Sequence, residues 1–507
     1  MNTPRLAAVA ALALLTAGCP NPRNPLGPPI DTPGPGPGAA IAFRLGEFGP
    51  DVVTAVATDP GGNIFIAGEF TGSVDFDPSS SALILTSLGG TDVFLAHYSP
   101  FGDLIWARRI GGGQEISVNA LALDGAGNLL IGGGFEGTAN FQPAGGVTSF
   151  TSNGGRDAYV ASYTAAGGLR WARGFGGPLN DEVLGVTFHG DGTAYASGVF
   201  AGTMPVDPDA GLAVTTAGGD DGFVASWDAN GGARWAFSLG GPGADTAAAT
   251  ALAQGGGVYV GGTFTGIADF GPGTTTAALT SLGDNDVFLA RYTAGGELAW
   301  VRGLHGSSTV RLGPNGLAAG PDGALVATGT FAGTADFNSG TGVASLTSAG
   351  LRDGFVVRYS PSGDFGWTVA FGGPTEDAGG AVAVAPNGEV SVTGSFTGVA
   401  RFDPGAAATA LTALGTSGAT DMYVARYSAS GAFRWAVGIG GPLVGESFRT
   451  TGTGIAADPN GNLVAGGRFF GSVNVNPGNA LTVLSSRGNA DGLVVKYTGA
   501  GALATRP

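Results

Sequence analysis

The sequence predicts an all-β chain that folds as a single seven-bladed β-propeller, with mostly four-stranded antiparallel blades. Three observations lead to this prediction. One unit recurs seven times along the chain, and its best-preserved strand is apolar on both faces. No stretch shows the 3.6-residue period of an amphipathic helix.

The recurrence is clearest in a seven-residue segment that opens with Asp. Successive opening Asp residues are 64 to 70 residues apart. A Gly-x-Phe segment and a Trp segment recur at similar spacing, and such self-similarity indicates a repeat architecture rather than separate domains. The seven segments are DVFLAHY at 92–98, DAYVASY at 157–163, DGFVASW at 221–227, DVFLARY at 286–292, DGFVVRY at 353–359, DMYVARY at 421–427 and DGLVVKY at 491–497.

Each unit is predicted to contain four strands arranged as two hairpins. DVFLAHYS and DLIWARRIG flank a turn that contains Gly, and TAVATD and NIFIAGEF flank the turn at residues 60–62. A longer connection then leads to the next unit and has room for a fifth short strand.

The segment at 92–98 explains why a propeller is preferred over other all-β folds. Val93 and Leu95 face one side of the strand, and Phe94 and Ala96 face the other. Strands that are apolar on both faces must be covered on both, and blades packed side by side meet that demand. A β-helix would have much shorter repeats, and an array of separate domains would need more polar linkers.

The two ends of the repeat region predict how the ring closes. Residues 42–46 (AFRLG) resemble residues 236–240 (AFSLG), which are expected to form the strand after the first hairpin turn of a unit. The final unit ends as GALATRP and lacks its Trp. We therefore expect the N-terminal strand to complete the final blade and close the ring.

The first 38 residues are predicted to be a targeting segment followed by a spacer. Residues 6–18 are apolar but too few to span a bilayer as a helix, which is typical of a secretory signal. Residues 15–19 (LTAGC) resemble the lipobox of bacterial lipoproteins. That resemblance implies removal of residues 1–18 and lipidation of Cys19, the only Cys in the chain. The alternative is an ordinary signal peptide with an incidental Cys.

Residues 19–38 are rich in Pro and Gly and are predicted to be a spacer between the lipid and the propeller, which is expected over 39–507. Pro20 stands where an Asp commonly signals retention in the inner membrane. We therefore expect an exported, lipid-anchored protein of the cell envelope, in the outer membrane.

The charge balance excludes one class of partner. The net charge is −16, and only 12% of the residues are charged. An acidic surface repels phosphate, so no nucleic-acid partner is expected. Gly (97) and Pro (29) are abundant, but 43% of the residues are hydrophobic, which favours a folded chain with many tight turns over disorder.

The repeating unit resembles the SBBP (seven-bladed β-propeller) repeat of bacterial exported proteins. The shared features are the Asp-x-Phe-Val-Ala-x-Tyr strand, the Trp strand, the Gly-Gly…Asp linker, the Asp-x-x-Gly-Asn turn and Gly-x-Phe. The resemblance covers nearly all of residues 41–507. It implies a propeller and an envelope or extracellular setting, but no established reaction, ligand or catalytic residue.

Residues that recur in every unit are best explained by folding. The leading Asp residues are expected to bond backbone amides where a strand begins. The Trp residues are expected to wedge between blades, with sugar stacking as the alternative. They are Trp106, Trp171, Trp235, Trp300, Trp367 and Trp435.

One series of acids is a candidate binding site. The linker after the Trp strand usually carries an acid about five residues past its first Gly, and all linkers should lie on one face of the ring. These acids could attract a cation or a basic partner, or could serve as a repeated turn bond. The linker at 305–316 breaks the series and introduces Arg311. The acids are Asp51, Glu115, Asp181, Asp245, Asp377 and Glu446.

The sequence contains no recognisable catalytic or metal-ligand motif, so no cofactor is predicted, although calcium at the acidic linkers remains an alternative. The leading hypothesis is a non-catalytic protein that presents a propeller surface to a protein or polysaccharide. The second is a cation- or carbohydrate-dependent module that uses an acidic rim. The third is a hydrolase or lyase with carboxylates in the central channel.

Overall fold

A computed structural model describes residues 38–142, 145–340, 342–403, 410–414, 418–441, 449–477 and 481–507. The predicted signal peptide, Cys19 and Glu446 lie outside these residues. Within them the chain forms 42 β-strands and no helix, as predicted for an all-β fold. None of the described segments is a helix long and apolar enough to cross a membrane.

The main strands group into seven units of four, and within each unit neighbouring strands pair antiparallel. The first strands are Val52–Thr58, Ala120–Leu123, Glu182–Phe188, Thr246–Leu252, Val310–Ala319, Asp377–Val384 and Arg449–Ala457. The second strands are Ile64–Phe70, Leu129–Phe135, Ala194–Phe200, Val258–Phe264, Leu325–Phe331, Val390–Thr397 and Leu463–Phe470. The third strands are Asp92–Tyr98, Asp157–Tyr163, Asp221–Trp227, Asp286–Tyr292, Asp353–Tyr359, Thr420–Tyr427 and Asp491–Tyr497.

The fourth strand of the seventh unit comes from the N-terminal end of the described chain. Ala42–Leu45 pairs antiparallel with the last third strand, and Ala42 stands opposite Val495. The strand therefore occupies the position that the fourth strand takes in the other units. The fourth strands of the other six units are Leu104–Gly112, Leu169–Phe175, Ala233–Leu239, Leu298–Gly306, Phe365–Phe371 and Phe433–Ile439.

The connection between the second and third strands contains two short strands where the sequence suggested room for one. They pair with each other as a small antiparallel hairpin. The pairs are Ser73–Asp75 with Ile84–Thr86, Thr138–Asn140 with Ser149–Thr151, Thr203–Asp207 with Leu212–Thr215, Ile267–Asp269 with Ala278–Thr280, Thr334–Asp336 with Ser345–Thr347, Val399–Arg401 with Ala410–Thr412, and Ser472–Asn474 with Val483–Ser485.

The apolar core lies between units rather than inside each one. The strand Asp92–Tyr98 is buried along its whole length, which agrees with its apolar residues on both faces. One buried cluster joins Val53 and Ile64 of the first unit to Phe43, Val464 and Val494 of the seventh. Each unit therefore depends on its neighbours to cover its strands.

The Trp residues form the predicted wedges between units. Each ring lies beneath the third-to-fourth-strand turn of the following unit, where a β-carbon on the turn glycine would come within 2.7–3.3 Å of the ring. The indole N–H of Trp106 donates to the carbonyl of Ala165 at 3.0 Å, and Trp300 bonds Pro361 in the same way. Because the rings are covered by the next unit, these contacts favour the wedge over a sugar-stacking platform.

Because neighbouring strands in a unit run antiparallel, the connections between strands lie on two opposite faces. The linkers between units and the second-to-third-strand connections lie on one side, which we call the linker face. The short turns between first and second strands and between third and fourth strands lie on the other side, which we call the turn face. Predicted site residues in the linkers therefore share the linker face.

A cavity of about 130 Å³, here called the inner cavity, is lined by residues from the first strands of all seven units, among them Ala55, Ala120, Val186, Ala249 and Ile455. The fifth unit inserts a segment into this space. Its pairing with the second strand of the unit skips from Leu312 to Leu317, which leaves residues 313–316 without a partner in that strand.

The inserted segment is bound to other units. Asn315 pairs in parallel register with Ala381 of the sixth unit, and its side-chain amide donates to the carbonyl of Thr453 at 2.9 Å. A longer bond of 3.3 Å reaches the carbonyl of Thr54 in the first unit. We call residues 313–316 the unit-five insertion.

Candidate ligand site on the linker face

The leading Asp residues make the amide bonds that the sequence predicted. Each carboxylate accepts from a backbone N–H in the turn that precedes its strand. Examples are Asp157 with Asn153 at 3.0 Å and Asp353 with Ala349 at 2.9 Å. These side chains are buried, so they contribute to strand entry rather than to an accessible surface.

Four of the linker acids are also buried and bonded to backbone amides. Asp245 accepts from Gly241 and from Thr265, both at 2.8 Å. Asp377 accepts from Gly373 at 2.7 Å and from Thr397 at 3.2 Å. Asp51 and Asp181 make the equivalent pairs of bonds. This pattern supports the repeated turn bond over its alternative, an exposed acidic rim that contains Asp181, Asp245 and Asp377.

A leading Asp and the following linker Asp approach each other at several junctions between units. A β-carbon on Gly46 would lie 2.7 Å from oxygens of both Asp491 and Asp51. Gly240 has the same relation to Asp221 and Asp245, and Gly372 to Asp353 and Asp377. Any side chain at such a glycine would strike the carboxyl pair, so this position requires glycine.

Burial of these pairs makes their charged forms unfavourable. Burial, aided by the charge of Asp491, raises the pKa of Asp51 to about 7. Burial also raises the pKa of Asp377 to about 7 and that of Asp221 to about 6, and the partner carboxylate adds to each shift. The shift therefore belongs to the repeated junction and not to one special residue.

Two junctions replace the linker Asp with an apolar residue. Ile116 and Val310 occupy its place, and both are buried. There the leading Asp gains a nitrogen partner: Arg109 lies 2.8 Å from Asp92, and His305 lies 2.9 Å from Asp286. Sequence reasoning placed Glu115 in the acidic series. The structure corrects this, because the neighbouring Ile116 takes that position and Glu115 is exposed.

The unit-five insertion borders a second cavity. A cavity of about 410 Å³, here called the linker-face cavity, lies between the fifth, sixth and seventh units. It is lined by hydroxyls such as Thr330 and Thr451, by glycine backbone, and by the charged residues Arg311, Arg352 and Glu376. The structure thus brings together Arg311 and Asp377, two of the residues that the sequence singled out.

The charges of this cavity come mainly from two guanidinium groups. Arg311 is exposed, and its hydrogen bond to the side-chain oxygen of Asn285 is long, at 3.4 Å. Arg352 lies 3.9 Å from Glu376, and both side chains are largely open to solvent. Such loosely held arginines can reorient toward a carboxylate of a ligand.

The other side of the linker face is acidic. Glu182 occupies the position in the third unit that Arg311 takes in the fifth, and it lies 3.2 Å from Arg156. Glu69 lies half-buried beside this pair, and desolvation raises the pKa of its carboxyl, opposed by the Val118 amide bond and the Arg156 charge. The linker face therefore has an excess of glutamates at units one to three and an excess of arginines at the linker-face cavity.

Asp377, which lines the linker-face cavity, takes part in folding. Asp377 is buried and both of its oxygens accept amide bonds. Its raised pKa is shared with Asp51 in another linker, so it reflects folding. None of the described residues that line the inner cavity is ionisable. In the described part of the chain, no three His, Cys, Asp or Glu residues are grouped to hold a metal ion.

The described residues form an all-β repeat fold, and comparisons with known proteins found proteins of limited similarity. No protein-family model matches the chain. The uncharacterized WD repeat-containing protein L264 of Acanthamoeba polyphaga mimivirus is 30% identical over 126 residues, which cover 23% of this chain and 9% of that protein. The regulatory protein FlaEY of Caulobacter vibrioides is 25% identical over 347 residues, which cover 63% of this chain and 34% of that protein.

The chain thus spans a third or less of the length of these curated relatives. Among solved structures, it is similar to the WD40 β-propeller domain of Doa1, with 11% identity, a TM-score of 0.40, and coverage of 90% of this chain and 97% of that domain. A protein of unknown function from Bacteroides caccae matches at 10% identity and a TM-score of 0.31, covering 68% of this chain and 89% of its own.

Proposed function

We propose that this chain is a non-catalytic, lipid-anchored protein of the bacterial cell envelope. Its seven units form a seven-bladed β-propeller that the N-terminal strand closes into a ring. The linker face of this propeller binds a protein or polysaccharide partner. The observation that carries the binding function is the linker-face cavity. Arg311 and the unit-five insertion lie there, and neither has an equivalent in the described residues of the other units. Folding explains the residues that recur in every unit, but it does not explain these two features.

The junction between the last and first units supports the closed ring. The turn glycine of the first unit, Gly102, is covered by Ile41 and Phe43, just as the other turn glycines are covered by Trp. The ammonium group of Lys496 donates to the carbonyl of Pro100 at 3.1 Å across the same junction. The seventh and first units therefore meet through contacts of the kind that join the other units.

Binding is favoured over catalysis because the inner cavity offers no acid or base among its described residues. The unit-five insertion also occupies the space where a substrate would enter. No observation favours the hydrolase or lyase alternative. The linker-face cavity, in contrast, has exposed charges and hydroxyls that can hold a ligand without reacting with it.

Replacing Cys19 by serine should release the protein from membranes. The lipid would be attached at the Cys19 thiol, and a single residue removes the anchor without touching the propeller. We expect the wild-type chain in the detergent-extracted membrane fraction of a bacterial host and Cys19→Ser in the soluble envelope fraction. If both proteins fractionate together, the lipid anchor is wrong.

Photo-crosslinking from the two faces tests the binding surface. A benzoylphenylalanine placed at Leu351, on the linker face, should yield crosslinked products in intact cells. The same residue at Phe101, on the turn face, is a matched control, because both native side chains are apolar and exposed. Equal labelling from both positions, or none from position 351, would contradict a partner on the linker face.

A further inference from the structure

We propose that the linker-face cavity binds an extended segment of a partner protein, which carries carboxylate groups toward Arg311 and basic groups toward Glu115. This inference rests on the proposed function and chooses a protein over a polysaccharide. Three independent features of the linker face support it: the edges of the first strands, the distribution of charge and the exposed apolar side chains.

The first strands present open backbone edges to the centre of the molecule, and one of them already holds extended chain. The unit-five insertion pairs with the sixth unit through Asn315 and Ala381 in parallel register. This contact demonstrates that an extended backbone fits against these edges. Beside the insertion, the cavity is lined by backbone at Gly380, Gly394 and Gly452. Main-chain groups at a strand edge can pair with an added peptide.

The charge distribution on the linker face disfavours a polyanionic ligand. Arg311 and Arg352 of unit five lie at the cavity, with Glu376 of unit six beside Arg352. Three glutamates and one arginine cluster in units one to three: Glu69, Glu115, Glu182 and Arg156. An acidic polysaccharide that reached both regions would be repelled by the second. A polypeptide can carry both signs of charge and can therefore complement both regions.

Large apolar side chains lie exposed on the same face. Leu282 is 74% exposed, Leu351 is 66% exposed and Leu414 is 42% exposed, and all three lie in connections of units four to six, close to the linkers. Leu88 and Leu179 add further aliphatic side chains around the linker face, and Phe48 is the one aromatic residue among these six. Aliphatic side chains of this kind favour a protein partner, since sugars usually stack on aromatic rings.

The N-terminal end of the described chain leaves from the opposite face. The backbone N–H of Gly38 donates to the carbonyl of Arg506 at 2.9 Å, and Arg506 forms an ion pair with Asp103 in a turn of the first unit. Both contacts lie on the turn face. A lipid anchor attached upstream would therefore leave the linker face open to a partner.

The experiment measures binding of the full chain to immobilised seven-residue peptides. The peptides carry Asp at one end and Lys at the other, and a second set replaces Asp with Asn. We expect wild type to prefer the Asp set and Arg311→Gln to lose at least about tenfold in affinity, which corresponds to about 1.4 kcal/mol. Arg234→Gln removes an exposed arginine from an outer strand and should bind like wild type.

A third arm replaces the peptides with oligogalacturonate, a polyanionic sugar. If the sugar binds in an Arg311-dependent manner and the peptides do not, the protein partner is wrong, although the binding function stands. If no probe depends on Arg311, the inference is overturned, and crosslinking at position 351 still tests the proposed function separately. Unchanged thermal melting of Arg311→Gln would exclude misfolding as the cause of lost binding.

Discussion

Phe43→Ala is expected to lower the free energy of unfolding by about 3–5 kcal/mol. Phe43 is buried, and its ring centroid lies 4.8 Å from that of Tyr98 in the first unit. The substitution would open a void where the N-terminal strand joins the two ends of the repeat region. Guanidinium titration of the full chain, followed by Trp fluorescence, measures the effect.

The chain provides a matched control at an internal junction. Phe237 occupies the same position in the third unit, and its ring lies 4.9 Å from Tyr292 in the fourth. Phe237→Ala should therefore also destabilise the protein. If Phe237→Ala is destabilising and Phe43→Ala has no effect, the N-terminal strand does not hold the ring, and the proposed closure fails.

The second large effect that we expect is on pH dependence: the folded state should be more stable at pH 5 than at pH 8. The pKa of Asp51 and that of Asp377 are raised to about 7, and those of Asp181, Asp221, Asp421 and Asp491 to about 6, mainly by burial. The folded state therefore binds more protons than the unfolded state between about pH 4 and pH 7. The stabilisation that these acids contribute is fully present below pH 4. It is lost as the pH rises through their pKa values in the folded state.

The loss of a proton from each of these acids lowers the free energy of unfolding by roughly 1–3 kcal/mol between pH 5 and pH 8. We expect the melting temperature to be higher at pH 5 by about 5 °C or more. Acids whose pKa is lowered, such as Asp191 at about 2, act below pH 4 and so do not offset this change.

Differential scanning fluorimetry at constant ionic strength measures the pH effect. The double variant Asp51→Asn/Asp377→Asn should narrow the difference between the two pH values. Asp209→Asn, which changes an exposed carboxylate in a loop, should leave the difference unchanged. A melting temperature that is equal at both pH values, or lower at pH 5, would show that the junction carboxyls are ionised in the folded state.

Much of the fold could be predicted because the same sequence pattern recurs in each unit. The strand alternation, the turn glycines and the Trp wedges recur often enough that chance is excluded. The pairing of Ala42–Leu45 with the last unit was also foreseeable, since residues 42–46 copy residues 236–240 and the last unit lacks a fourth strand.

The details that break the repeat could not be predicted from spacing alone. Glu115 was assigned to the acidic series because it is charged, but the buried position belongs to Ile116, and only the packing distinguishes two adjacent residues. The path of the unit-five insertion was not predictable either. It depends on Asn315 reaching the carbonyl of Thr453, which is distant in sequence.

The N-terminal strand also dictates when folding can finish. Arg44 bonds Asp491, a residue 447 positions later in the chain. The first described strand must therefore remain unpaired until the last unit has been synthesised. Contacts of such long sequence separation form slowly, and an unpaired apolar strand invites association with other chains. A chain exported from its N-terminus would carry this exposed strand throughout its passage and would depend on protection until both ends meet.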